Sequence, residues 1–185
     1  MITASFSSSK ALRDVGNGVF YATEPLATAG VAEIAFLKEQ ALLNPNKRSR
    51  LCMHRTPEDI VHEMLIVQHK DGYIRPHRHA NKSESFAVVE GAVAVVIFED
   101  DGSVKTVLEL TAPSRQGSFF YRMPAQLWHG FVLRSEWIAF HESAQGPFDP
   151  RSTEFPNWAP DGRDADEAQR YLTQLERRLL AAQCR

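Results

Sequence analysis

The sequence predicts a mainly β fold, a sandwich or barrel of about eight short strands with one helix before it and another after it. Three observations lead there. Apolar, β-branched runs of strand length recur between residues 60 and 142. Turn signals at Asp71-Gly72, Asp101-Gly102 and Pro124 separate them. Helical periodicity is confined to 31–43 and 165–181, outside the strand-rich region. Short strands joined by such turns bury a core between two sheet faces.

In chain order, the first 14 residues are Ser-rich and are expected to be loosely docked. Residues 19–22 suit a short strand. Val31, Ile34, Leu37 and Ala41 recur at helical spacing, with Thr28 as an upstream cap and Asn44-Pro45 as the stop. KRSRLCMH, 47–54, reads as a basic, solvated connector to the first main strand. Strands then follow at 60–69, 83–90, 92–99, 104–110, 119–123, 128–134 and 137–142, with Asp101-Gly102 marking a hairpin. The stretch 146–164 holds four prolines and cannot be helical. It is expected to wrap the strands, anchored by Phe148, Phe155 and Trp158. Ala168, Leu172, Leu175 and Leu179 then form the apolar stripe of an amphipathic helix docked on the surface. The division expected is an N-terminal extension at 1–46, a β-barrel at 47–145, and a wrap with its helix at 146–185.

The bulk numbers exclude several classes. At 185 residues, with 43% hydrophobic and 24% charged residues, the chain suits one globular domain. A net charge of −2 gives no electrostatic reason to bind nucleic acid or an anionic membrane. The N-terminus has no apolar core of a secretory signal, and the longest apolar run, 86–98, is broken by Glu90. The two cysteines, Cys52 and Cys184, lack partner spacing and read as free thiols in a reducing compartment, so the cytoplasm is expected.

The chemistry concentrates in GYIRPHRHANKSESFAVVEG, residues 72–91. Separated by one residue, His77 and His79 share a face of an extended strand. Glu84 follows within reach of a neighbouring strand, and PAQLWHG supplies His129. Three imidazoles and one carboxylate suit one divalent first-row transition metal (Fe, Zn, Mn or Ni), leaving two octahedral positions for water or substrate. Taken singly, a histidine is a satisfied core or surface residue, and His62 and His69 are read so. Taken together, His77, His79, His129 and Glu84 would be buried polar groups without partners unless something coordinates them. Regular alternation points Arg75 into the barrel beside them, where a guanidinium suits a carboxylate or phosphate; the alternative is an ion pair with Glu142 or Glu90. Arg78, of opposite parity, is expected toward solvent or the helix, and Trp128 in the core. Tyr73 is a candidate hydrogen-bond donor at the cavity mouth. His141 is a candidate general base, or a core or edge histidine.

Gly72, His77, His79, Glu84 and Gly91 resemble the first cupin motif, and Gly117, Pro124 and His129 the second. The second departs from the pattern at Gln126, where glycine is usual, and at Leu133; both concern the shape of the turn. Within the cupins, IRPHRH, KSES, FEDDG, GPFDP and NWAP are similar to the WbuC-type metalloproteins, over residues 47–161. The resemblance implies a single cupin, a jelly-roll β-barrel, with a metal on His77, His79, Glu84 and His129. It also implies a homodimer and a connection with surface-polysaccharide metabolism. WbuC-like chains carry basic residues and a histidine where Arg50 and His54 stand, which makes His54 a substrate-binding candidate beside Arg75.

Three kinds of function fit. A metal-dependent isomerase or epimerase would act on a small oxygen-rich substrate, sugar-derived or anionic, with His141, Tyr73 or a water moving the proton. A ferrous dioxygenase would use the open coordination sites for substrate and oxygen. A non-catalytic module would hold a saccharide or organic acid, and a purely structural metal is a further possibility.

Overall fold

Alternation of side chains along the strands sorts the chain into layers in this computed structural model, which describes residues 12–183. The strands are β1 (Leu12–Asp14), β2 (Val19–Ala22), β3 (Arg48–Cys52), β4 (Val61–His69), β5 (Arg78–His79) and β6 (Glu84–Glu90). They continue with β7 (Ala92–Phe98), β8 (Val104–Thr111), β9 (Phe120–Met123), β10 (Trp128–Leu133), β11 (Trp137–Gln145) and β12 (Thr153–Glu154). Two α-helices, α1 (Val31–Leu43) and α2 (Ala165–Gln183), flank them.

A seven-stranded sheet runs β1-β2-β3-β4-β11-β6-β9 and a three-stranded sheet β10-β7-β8; β5 and β12 form a short ribbon. All pairings are antiparallel except β2 with β3. The two larger sheets face each other across one apolar core. Met64, Ile66, Phe86, Val88 and Phe140 come from the large sheet and Val93, Val95 and Ile97 from the small one. Side chains of opposite parity pack outward. Leu51, Leu65 and Val67 meet Ile34 and Leu37 of α1, whereas Ala94, Val96 and Phe98 meet Leu175 and Leu179 of α2. β4 and β7 are therefore buried on both faces, which is why their sequences read as nearly continuous apolar runs. The architecture is the expected mainly β jelly roll with a helix on either side.

Gly91 makes the β6–β7 reversal possible. Its φ is +83°, and a Cβ there would lie 2.1 Å from the Trp137 carbonyl oxygen, so only glycine fits.

Several expectations are corrected. Residues 12–14 form β1, paired with β2; residues 1–11 and Cys184 lie outside the described residues. The N-cap of α1 is Gly30, not Thr28, and its N–H donates to Glu33 Oε2 at 2.7 Å. Residues 48–52 are no solvated connector but β3, whose Ser49, Leu51 and Cys52 are buried between β2 and β4. Arg78 reaches partway to solvent, as expected, but pairs within the wrap and not with a helix. It bonds Glu154 (Nε to Oε2, 2.7 Å) and lies 4.3 Å over the Trp128 ring, pinning the wrap to the core. In that wrap Trp158 is the anchor, tilted against Phe98 and edge-on to Trp128, while Phe148 and Phe155 stay half exposed. No helix among the described residues is long and apolar enough to cross a membrane.

Candidate metal centre

The two histidine-bearing segments are bound to each other before any ligand is considered. His77 N–H donates to the His129 carbonyl and His129 N–H to the His77 carbonyl, both at 2.9 Å. His77 is thus held by an isolated bridge, and only Arg78 and His79 continue as a strand, paired with β12. Gln126 adopts φ +71°, the left-handed conformation that suits glycine, and its N–H donates to the His79 carbonyl at 2.8 Å. The turn thereby keeps a glycine-like shape without glycine.

These constraints bring the imidazoles of His77, His79 and His129 together, with one ring nitrogen of each within 4.8 Å of the others. Each ring is aimed from behind. His77 Nδ1 donates to the Arg75 carbonyl at 2.9 Å and His129 Nδ1 to the Leu127 carbonyl at 3.1 Å, while His79 Nδ1 lies 3.2 Å from Thr153 Oγ1. A carbonyl only accepts, so His77 and His129 carry their proton on Nδ1 and present a bare Nε2. Burial, then the neighbouring His129, pushes the His77 pKa down to about 3, and burial lowers that of His129 as well. Both are neutral imidazoles, the form that ligates metals.

Glu84 is 6% exposed, with Oε2 3.3 Å from His79 Nε2 and Oε1 3.4 Å from His129 Nε2. Burial opposes its charge, but the His79 hydrogen bond leads the contributions that outweigh it and hold the carboxyl below its usual range. The Tyr121 hydroxyl donates to Oε1 at 3.4 Å and stays protonated, because burial and Glu84 raise its pKa. At His129 an ionised oxygen therefore faces a bare nitrogen, acceptor against acceptor. A cation between them resolves that opposition. By donor chemistry, the three histidines could hold a metal ion, with Glu84 bordering two of them.

The site opens into a cavity of about 500 Å³, within the range of small-molecule sites. Arg75, Tyr73 and His54 line it. Arg75 pairs with neither Glu142 nor Glu90: Nη2 donates to the Pro156 carbonyl at 2.8 Å, the guanidinium lies 5.1 Å over Phe155, and Nε is buried without a partner. Tyr73 donates to the Pro160 carbonyl at 3.0 Å, and burial with Tyr171 nearby raises its pKa. His54 stacks on His62 at 4.1 Å between centroids, so His62, read as isolated, also lines the cavity. His69 packs against Trp137, away from it.

His141 does not reach the cavity. On β11, Phe140, Glu142 and Ala144 line the interior, and the opposite parity turns His141 to the outer surface. There it meets Glu63, which also accepts from Ser143. The cavity group on β11 is Glu142, which sequence reasoning treated only as a possible partner of Arg75. Burial, and next the Glu84 charge, push its pKa up to about 7. Strand parity was the signal that could have found it: Phe140 belongs inside, and two residues on is Glu142.

A family model described as a domain of unknown function, DUF6016, matches residues 31–110. No curated protein matches the sequence. Among solved structures, the chain is similar to a cupin 2 conserved barrel domain protein from Rhodopseudomonas palustris, at 16% identity over 60% of this chain and 68% of that one, with a TM-score of 0.46. It is similar to oxalate decarboxylase from Bacillus subtilis at 15% identity, over 58% of this chain and 27% of that one, with a TM-score of 0.46. For the capsular polysaccharide assembling protein CapF from Staphylococcus aureus, the values are 17%, 58%, 30% and 0.47. The chain spans less than a third of the length of the last two.

Proposed function

We propose that the protein binds one divalent transition metal through His77, His79, His129 and Glu84, and acts as an enzyme on a small oxygen-rich substrate. The observation that carries this reading is the Glu84 carboxylate set against the bare Nε2 of His129, inside an open cavity. When bound, the metal would supply Lewis-acid polarisation of a substrate oxygen.

The chain's own residues take the remaining roles. Arg75, with an unpaired Nε, holds an anionic part of the substrate, and His54 borders it. Glu142 is the proton carrier: its carboxyl is poised near neutrality, where a group both takes and returns a proton. It replaces His141 in that role, since His141 faces outward. Tyr73 keeps a supporting place at the wall, its hydroxyl already given to Pro160. A sugar-derived substrate, a link to surface-polysaccharide metabolism and a homodimer follow from the WbuC-type resemblance and belong to the same proposal.

Elemental analysis of protein purified without chelators, beside His77→Ala and His129→Ala, tests it. Near-stoichiometric metal in the parent and loss of most of it in both folded variants is the expected result. Full occupancy in both variants would show that other residues hold the ion. The element found then divides isomerase or epimerase chemistry from a ferrous dioxygenase, which consumes oxygen.

A further inference from the structure

We propose that the cavity contains an anion subsite built by Arg48 and Arg50 of β3 with Arg75 and Lys82, and that its ligand is a small organic dianion carrying a carboxylate or phosphate group. The proposal rests on reading this cavity as a ligand site, but not on the metal.

Strand geometry forces the arrangement. Ser49 and Leu51 turn toward α1, where Ser49 Oγ donates to the Leu37 carbonyl at 2.6 Å. Arg48 and Arg50 must then point the other way, along with Cys52, and all three line the cavity. Two guanidiniums thus stand on one face, within the field of Glu142 across the cavity. Among the described residues neither forms an ion pair, and Arg50 Nε, like Arg75 Nε, is buried with no hydrogen-bond partner. The other half-buried arginines are satisfied: Arg78 has Glu154, and Arg134 has Glu109 and Glu176. Lys82, also lining the cavity, has no carboxylate within ion-pair distance among the described residues.

Against these four cations the cavity sets two carboxylates, Glu84 and Glu142, and Glu84 is engaged by His79 and His129. Four positive charges against at most two negative leave at least two unmatched, enough for one dianion. Uncompensated charge in a partly desolvated site is costly, and a fold retains it where a ligand supplies the counter-charge. Arginine forks meet carboxylate or phosphate oxygens in pairs, and the volume, about 500 Å³, admits a small metabolite.

Calorimetric titration of the chelator-treated full chain with inorganic phosphate and, separately, with malonate tests the proposal. The proteins are the parent, Arg48→Met, Arg50→Met and, as a control, Arg151→Met, whose exposed guanidinium pairs with Asp149. The parent and the control should bind one of the two anions, and the better ligand distinguishes phosphate from carboxylate recognition. Each cavity variant should bind about tenfold more weakly or worse, the effect of losing a charge-assisted contact. In the absence of anion, Arg50→Met should melt no lower than the parent, because it removes an unmatched charge. No binding of either anion by the parent, equal binding by the cavity variants, or a lower melting temperature for unliganded Arg50→Met would each overturn the proposal. Metal content, measured on the same preparations, reports separately on the metal centre.

Discussion

Replacing Glu142 with Gln removes one titrating proton from the cavity while nearly preserving the shape of the side chain. In the folded protein burial, and next Glu84, raise this carboxyl from 4.5 to about 7. Between those two values the folded state binds more protons at this position than the unfolded state does, so stability falls as pH rises through the window and is constant above it. At about 1.4 kcal/mol per pH unit, the loss accumulated by pH 8 is about 3 kcal/mol. The variant, with nothing to ionise, does not incur it. Urea unfolding of chelator-treated parent and Glu142→Gln, from pH 4 to pH 8, reads the difference directly. The two should be nearly equal at pH 4, with the variant gaining steadily to an advantage of about 3 kcal/mol at pH 8. A difference that does not change with pH, or one that moves in favour of the parent, would refute the assignment of a destabilised carboxyl to this position.

Phe86→Ala should cost about 3–5 kcal/mol in urea unfolding. The ring is 1% exposed and stacks at 4.0 Å on Phe140, 5.4 Å on Tyr121 and 5.6 Å on Phe131, so its loss opens a cavity between the sheets. Arg78→Ala should cost about 1 kcal/mol, because the pair with Glu154 is partly solvated. Its clearer signature is faster proteolysis within 146–164, the segment that the guanidinium pins; an unchanged cleavage rate would count against that role. His141→Ala should keep the full metal content of the parent, since the side chain meets Glu63 on the outer surface. Loss of metal in that variant, by elemental analysis, would place His141 in the centre after all.

Strands were legible where apolar, β-branched residues ran at strand length between turn signals, as at β6, β7 and β10. The helix at 31–43 could be read to its terminal residues because its apolar spacing and Asn44-Pro45 stop are local signals. β3 was not legible: RSRLC places charge where a strand usually buries aliphatics, and only the cavity explains why Arg48 and Arg50 can face inward. The same blind spot hid Glu142. Parity counting works inside a strand, but it needs a correct choice of face, and the larger, more reactive His141 drew attention to the wrong one. Arg78 and Thr153 were beyond reach for another reason. Their partners, Glu154 and His79, lie more than seventy residues away in sequence, and nothing local announces such contacts.

The mutual backbone bridge between His77 and His129 also orders events in time. A ribosome delivers His77, His79 and Glu84 together, but His129 follows about fifty residues later, and Thr153, which steadies His79, later still. A nascent chain of 110 residues, the far limit of the DUF6016 match, holds His77, His79 and Glu84 but lacks His129 and the part of the cavity wall that Phe131, Phe140 and Glu142 supply. Long-range closures of this kind come late in folding, after the loop entropy they cost has been offset by the sheet core. Cation capture of the kind proposed would therefore be a post-synthetic step, with the finished fold, rather than the emerging peptide, selecting the ion.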